Sequence, residues 1–473
     1  MRPLKGLLLA AILPAAPAFA TPVLTTLATL PASSNGYNNS GVIVNGGVVY
    51  GATRNGTGTI GSVVFSLTPS GTIWVKANIA NFTRSTSGKT PGGDEVYGQL
   101  HADSSGNLYG TTEGGGIATG NCAQDGFDGC GVAFKLTKSG STWTSTVLYS
   151  FKGGSDGQAP LGGLVADTKG NLYGVTANGG NSNNCLDGCG TIFELIKPVS
   201  GTTWTEKLLY SFQGIVNGAT TGDGAVPNAP LVLKGETIYG TTRAGGNVEV
   251  VDKNDICESA ANDGQASCGV VFRLSPPATG KTVWKETVLY KFTNGSDGSA
   301  PQAGLVLDSV GNLYGAAMQG GDSSFACTES GFSGCGVVFK LTKPVAPATA
   351  FTFSSLYQFA GAGNGAGLSP AQAPISVLRD KAGNLFGTAG YTPSPGSNCA
   401  AGSYYCGAVF ELAAPAIAGG SYTYSQLHTF SGNTASDNAL PAAPLTVNVT
   451  GTVYGVTMYS QSGTVFELTD SGY

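Results

Sequence analysis

Charge is scarce in this 473-residue chain: only 11% of residues are charged, and histidine occurs twice. A formal net charge of −5 over that length offers no basic patch, so neither nucleic acid nor an anionic membrane surface is an expected partner. Two histidines beside ten cysteines leave the usual zinc sites without their nitrogen ligands. Beyond the N-terminus no stretch approaches 18 uninterrupted apolar residues, which excludes a transmembrane helix. Long amphipathic patterns are also missing. No Gly-x-Ser-x-Gly elbow, His-Glu-x-x-His pair or phosphate-binding glycine loop occurs, so the motifs of the common hydrolases and nucleotide enzymes are excluded.

Glycine is what the chain has in plenty, at 74 residues, a composition that favours short strands joined by tight turns. Met1 to Ala20 carries Arg2 and Lys5, an apolar run from Gly6 through Ala15, and Ala18-Phe19-Ala20 as a small-x-small cleavage site. This pattern predicts a secretory signal peptide over residues 1–20, and a secreted, extracellular or periplasmic mature protein from about Thr21.

The stretch Asn171-Leu172-Tyr173-Gly174-Val175-Thr176 recurs through the chain. Its aromatic anchors are Tyr50, Tyr109, Tyr173, Tyr239, Tyr314, Phe386 and Tyr454, spaced 59 to 75 residues apart. Seven copies at that period mark one supersecondary unit repeated with insertions. The copy from Ala159 to Phe212 divides into four strand signals: Pro160 to Ala166, Leu172 to Thr176, Thr191 to Ile196, and Trp204 to Phe212. Four antiparallel strands cannot bury both faces alone, so the pattern predicts an all-β, seven-bladed β-propeller in a single domain, residues 21–473. A β-helix or an open solenoid is the alternative; those have shorter rungs and need capped ends.

The last copy has three strands and stops without a fourth, while Val23 to Leu30 precedes the first copy and matches a fourth strand in character. The strand at about residues 22–30 is therefore expected to pair with the last blade and close the ring, which removes both exposed edges. Fourth strands carry two aromatics eight residues apart, as in Trp143 and Phe151 or Trp204 and Phe212. The even spacing predicts that both lie on one face, packed between blades in preference to forming a sugar-stacking row.

The order Asp-x-x-Gly-Asn-Leu-Tyr-Gly-Thr-Thr, a Gly-Gly loop, Gly-Val-Val-Phe-x-Leu and Leu-Tyr-x-Phe resembles the GloVer tandem-repeat family of exported bacterial proteins, over nearly all of the mature chain. That resemblance implies β-propeller-like repeats and no agreed biochemical function. Members often carry a C-terminal surface anchor, whereas here Tyr473 follows directly on the last strand, so free secretion or another mode of attachment is expected.

The cysteines fall in five local pairs between second and third strands: Cys122/Cys130, Cys185/Cys189, Cys257/Cys268, Cys327/Cys335 and Cys399/Cys406. In an exported chain these read as disulfides in preference to metal ligands. Strand parity puts these loops on the same face as the loops that enter each blade. The entry loops carry Asp156, Asp223, Asp297 and Asn364, each before Gly, with Asp94-Glu95 and Asp437-Asn438 as variants. A ring of such groups near the centre of that face has two readings. As turns, Asp or Asn hydrogen-bonds its own loop and Gly accepts positive φ. As a site, the oxygens bind Ca²⁺ or sugar hydroxyls, with Phe127, Phe332, Tyr404 and Tyr405 stacking on a pyranose face. His101 and Arg379 lie in innermost strands, where they are candidates to line the channel. Asp103, Asp167, Asp308 and Asp380 begin turns on the opposite face and read as structural.

Three functions fit these residues. The first is a monomeric, non-enzymatic protein recognising an extracellular glycan or surface protein, with no obligate cofactor. The second is a glycosidase or lyase using two of the entry-loop carboxylates. The third is a structural interaction module at the cell surface.

Overall fold

The computed structural model describes residues 22–30, 40–53, 60–83, 92–116, 122, 129–216, 222–246, 268–321, 334–360, 372–391, 407–417, 419–430, 440–441, 443–459 and 462–469. Seven four-stranded antiparallel sheets form a ring, and in the first six the spatial order of strands equals their order in the chain. The seventh is completed by the N-terminus: Val23–Leu30 runs antiparallel to Ser462–Thr469, from Val23 opposite Thr469 to Leu30 opposite Gly463. Leu27 and Leu30 bury against Val465 and Tyr454. The seven-bladed propeller and its closure by the first strand are therefore as expected. Among the described residues no helix is long and apolar enough to cross a membrane.

The repeated Tyr-Gly pair has a steric cause. Gly174 lies across from Phe193 in the third strand of its blade. A Cβ at Gly174 would stand 2.5 Å from the tip of that ring. Every blade repeats this: Gly51, Gly110, Gly240, Gly315, Gly387 and Gly455 each leave between 2.4 and 2.7 Å to Phe65, Phe134, Phe272, Phe339, Phe410 and Phe466. The rings lie over the glycines as the blade cores, and all seven are fully buried.

The fourth strands depart from the sequence-based expectation. Trp204 packs back onto Tyr109 of the preceding blade, centroids 6.4 Å apart, whereas Phe212 packs forward onto Phe272 of the next, at 5.2 Å. The two aromatics thus occupy opposite faces. A β-bulge is the reason: Ile192 pairs with Tyr210 and Phe193 with Leu208, so Leu209 is an extra residue and the alternation inverts there. The same shift recurs in all seven blades, at the third-strand pairs Val64/Phe65, Ala133/Phe134, Val271/Phe272, Val338/Phe339 and Val409/Phe410, and at Thr26/Ala28 in the closing strand. The bulge lets one strand bury an aromatic against each neighbour. Interblade packing, not a stacking row, is its use.

A second device seals the joints. Ala159, Val226 and Ala300 enter blades 3, 4 and 5 with φ of 54°, 55° and 52°. Each donates its N–H back to the preceding blade, to the carbonyls of Cys130, Cys189 and Cys268. Each also accepts through its own carbonyl, from Ala177, Arg243 and Met318 of the blade it enters. One left-handed residue therefore bridges two sheets, and the proline that follows it rests on the Gly after the preceding blade's cysteine.

Candidate functional site

The entry-loop aspartates form joints rather than a convergent ring. Asp156 accepts 2.6 Å from the Tyr149 hydroxyl and 2.8 Å from the Lys152 N–H. Asp223 accepts from Tyr210 Oη at 2.6 Å and from the Gln213 N–H at 3.0 Å. Asp297 accepts from Tyr290 Oη, the Thr293 N–H and the Thr293 hydroxyl. Each carboxylate is held by a tyrosine of an outermost strand, so the expected ring near the centre of the face is corrected to three separate loops. Among the described residues no group of three or more His, Cys, Asp or Glu is placed to hold a metal ion.

Asp94 and Glu95 also shift from their expected place. Asp94 pairs with Gly114 in the way Gln158 pairs with Asn178 and Ser299 with Gln319. Glu95, with φ 51°, is the counterpart of Ala159 and Ala300. This pair therefore stands two residues beyond the turn aspartates. The left-handed bridging position, not the acid, is what Glu95 shares with the other blades. Asp94 is buried and accepts from the Glu95 N–H at 2.8 Å.

Cys122–Cys130 and Cys185–Cys189 are disulfides with Cα atoms 5.2 Å apart. Cys268 and Cys335 are disulfide-bonded too. Cys257, Cys327, Cys399 and Cys406 lie outside the described residues, as do Asn364, Asp437, Phe127, Phe332, Tyr404 and Tyr405.

On the opposite face the turn aspartates do what a tight hairpin requires. Asp308 Oδ1 accepts from the N–H groups of Val310, Gly311 and Asn312 at 2.8 to 3.1 Å, and Oδ2 accepts from the Asn312 amide. Burial pushes this carboxyl up, but the bonds from Asn312 and Gly311 and the charge of Arg379 outweigh it and hold Asp308 below the usual carboxylate value. Arg379 itself does not reach the channel. Its guanidinium lies 5.2 Å over the Tyr314 ring of the neighbouring blade and donates 3.3 Å to the Asp380 carbonyl. Its place one residue further along the strand turns it toward the joint.

His101 lies in the innermost strand Asp94–Ala102 of its blade, across from Tyr109. With Asn45, Gln99 and Thr446 it supplies the polar side chains of a cavity of about 340 Å³, whose walls come from the innermost strands of five blades and include Ile43 and Val44, Leu100, Leu164 and Val165, and Pro230. Gln99 Nε2 donates 2.7 Å to the Val42 carbonyl, which fixes the amide. Burial pushes the His101 imidazole below its ordinary value, against the opposing pull of Asp103, so it is neutral at pH 7. Among the described residues no Asp, Glu, Lys or Arg lines this cavity.

Two acids escaped the reading of the sequence. Burial, with the nearby charge of Asp156, pushes Glu206 up to about 7. Burial and Asp223 push Glu286 up to about 8. Both stand in outermost strands where the equivalent residues are Ser145, Phe353 and Tyr424, and that mismatch was the signal available.

The model of the Gloeobacter/Verrucomicrobia repeat matches residues 18–251 and again 247–473. The chain belongs to the Gloeobacter/Verrucomicrobia repeat family. No curated protein matches it. Among solved structures, this family member is similar to a luciferin-regenerating enzyme, at 13% identity and TM-score 0.40, covering 85% of this chain and 98% of that one. It is also similar to PorZ, a surface component of the Porphyromonas gingivalis type-IX secretion system, at 14% identity and TM-score 0.46, covering 89% of this chain and 46% of that one. An ancestral GH74 enzyme is matched at 10% identity and TM-score 0.46, covering 93% of this repeat protein and 48% of the enzyme.

Proposed function

We propose that this protein is an exported, non-enzymatic propeller that binds an uncharged polyhydroxylated ligand, a glycan, in its central cavity. The observation that carries this reading is the cavity wall: about 340 Å³ bounded by innermost strands, with Asn45, Gln99, His101 and Thr446 as its polar side chains and no Asp, Glu, Lys or Arg among the described residues that line it. Such a surface matches neutral hydroxyls, each of which both donates and accepts, and penalises a charged ligand by desolvation. Among the described lining residues the one titratable group is a neutral imidazole, and the paired carboxylates of glycoside hydrolysis are not among them. Export is supported by the signal-type N-terminus and by the disulfides.

A glycan-array screen followed by calorimetry tests this. Gln99→Leu and His101→Phe are each expected to weaken binding about tenfold, the worth of one hydrogen bond to a buried polar group. A reducing-end assay on the bound sugars is expected to stay flat. Binding that survives both substitutions, or sugar cleavage by the wild type, would overturn the reading.

A further inference from the structure

Blade 3 is joined to its neighbours differently from the later blades. Between blades 4 and 5, Tyr290 stacks on Phe353 at 4.5 Å, and between blades 5 and 6, Tyr357 stacks on Tyr424 at 4.8 Å. At the same position between blades 2 and 3 stands Glu206, beside Tyr149 and Asp156, and between blades 3 and 4 stands Glu286, beside Tyr210 and Asp223. Both glutamates have a buried Oε1 without a hydrogen-bond partner. An acid therefore stands on both sides of blade 3 where both joints of blade 5 carry an aromatic ring, while the equivalents in the remaining blades are Lys76, Ser145 and Leu24. We propose that these two joints form a pH-sensitive latch on blade 3, closed while Glu206 and Glu286 are neutral and loosened when they ionise against Asp156 and Asp223.

The charges around each glutamate support that direction. Glu206 meets Asp156, Tyr149 and Lys152 from blade 2, and its own sheet places Leu195 across from it. Glu286 meets Asp223 and Tyr210 from blade 3, with Lys291 on its own strand and Leu274 across. Each aspartate accepts a short tyrosine bond at 2.6 Å; at Asp223 burial outweighs that bond and raises the carboxyl as well, and each aspartate pushes its neighbouring glutamate up. The single lysine near each pair opposes the shift without cancelling it. Both folded values lie above the ordinary 4.5, so the native state holds protons that the unfolded chain releases. The stabilisation is complete below the unfolded value and is lost as pH rises through about 7 at Glu206 and about 8 at Glu286. Blade 3 supplies Gly162, Leu164 and Val165 to the central cavity, so loosening it opens one wall.

Hydrogen exchange read by mass spectrometry, corrected for intrinsic rates, tests the latch in the full-length protein between about pH 6 and about pH 9. Protection in blade 3 is expected to fall at least about tenfold relative to blade 5. The double variant Glu206→Gln/Glu286→Gln, and the variant Glu206→Phe/Glu286→Phe that imitates Phe353, are expected to abolish the difference. A fall of equal size in the glutamine variant, or no fall in the wild type, would overturn the proposal. Should the variants not fold, the infrared band of protonated carboxyl groups in the wild type decides. Its loss across this range supports the latch, and its absence already at the acid end refutes it.

Discussion

Gly190 of blade 3 lies against the ring of Pro227 at the entry to blade 4: a Cβ at Gly190 would stand 2.6 Å from Pro227 Cδ and 2.5 Å from the Thr176 carbonyl oxygen. The φ of 92° adds a second obstacle to any side chain. The same contact recurs between Gly131 and Pro160, Gly269 and Pro301, Gly336 and Pro374, and Gly407 and Pro441. It explains why each second cysteine is followed by Gly. At Cys130, Cys189 and Cys268 the cysteine carbonyl receives the bridging N–H, and the next residue must leave room for the proline.

Gly190→Ala is therefore expected to destabilise the protein by about 2–4 kcal/mol, from a backbone clash together with a left-handed φ. Denaturant unfolding of the purified variant measures this. A loss below about 0.5 kcal/mol would mean that the joint relaxes freely.

Deleting Val23–Leu30 should damage the ring far from the N-terminus. The deletion leaves Ser462–Thr469 as an open edge and uncovers the site where Leu27 and Leu30 are buried. Loss of a single cooperative transition, with concentration-dependent aggregation seen by light scattering, is the expected outcome. An unchanged melting curve would contradict closure.

Opening the Cys185–Cys189 bridge should have a local effect. The ring spans a sequence separation of 4, and loop-closure entropy for so small a ring contributes about 2 kcal/mol. Cys185→Ser/Cys189→Ser is expected to keep its circular dichroism spectrum while becoming more susceptible to proteolysis in that loop. A collapse of the β-sheet signal would show that the bridge holds the blade itself.

On the acid side the hairpin aspartates set the limit. Burial pushes Asp103 up, but hydrogen bonds from Asn107, Tyr109 and Ser105 outweigh it, and Asp308 behaves alike, so both sit below the ordinary carboxylate value. Their stabilisation is present above the unfolded value of 3.8 and is lost as pH falls through the lower folded values. Asp103→Asn/Asp308→Asn should lower stability at neutral pH and flatten the fall below about pH 4. An acid limb as steep as that of the wild type would assign it to other groups.

Much of the architecture was legible because it depends on local periodicity. The Tyr-Gly repeat, the paired cysteines and the orphan strand Val23–Leu30 report the blades, their number and their closure from neighbouring residues alone. The direction of Trp204 against Phe212 was not legible, because counting by two assumes an unbroken ladder, and the bulge at Leu209 breaks it. Nor did the spelling Asp-Gly distinguish a site from a joint. That depends on Tyr149, Tyr210 and Tyr290, whose hydroxyls reach back from the preceding strand.

By itself the sequence determined a closed wheel of seven like sheets, since each sheet's pattern repeats within its own few dozen residues and the missing strand is found at the other terminus. Only the tertiary structure decided which polar groups face the central cavity, and which acids face one another across a joint. Gln99 and His101 come to line one wall with Asn45, and Glu206 meets Asp156, because separate blades are brought together. The physical reason is that burial and Coulomb interaction act over ångströms in space, and the residues concerned are tens of positions apart along the chain.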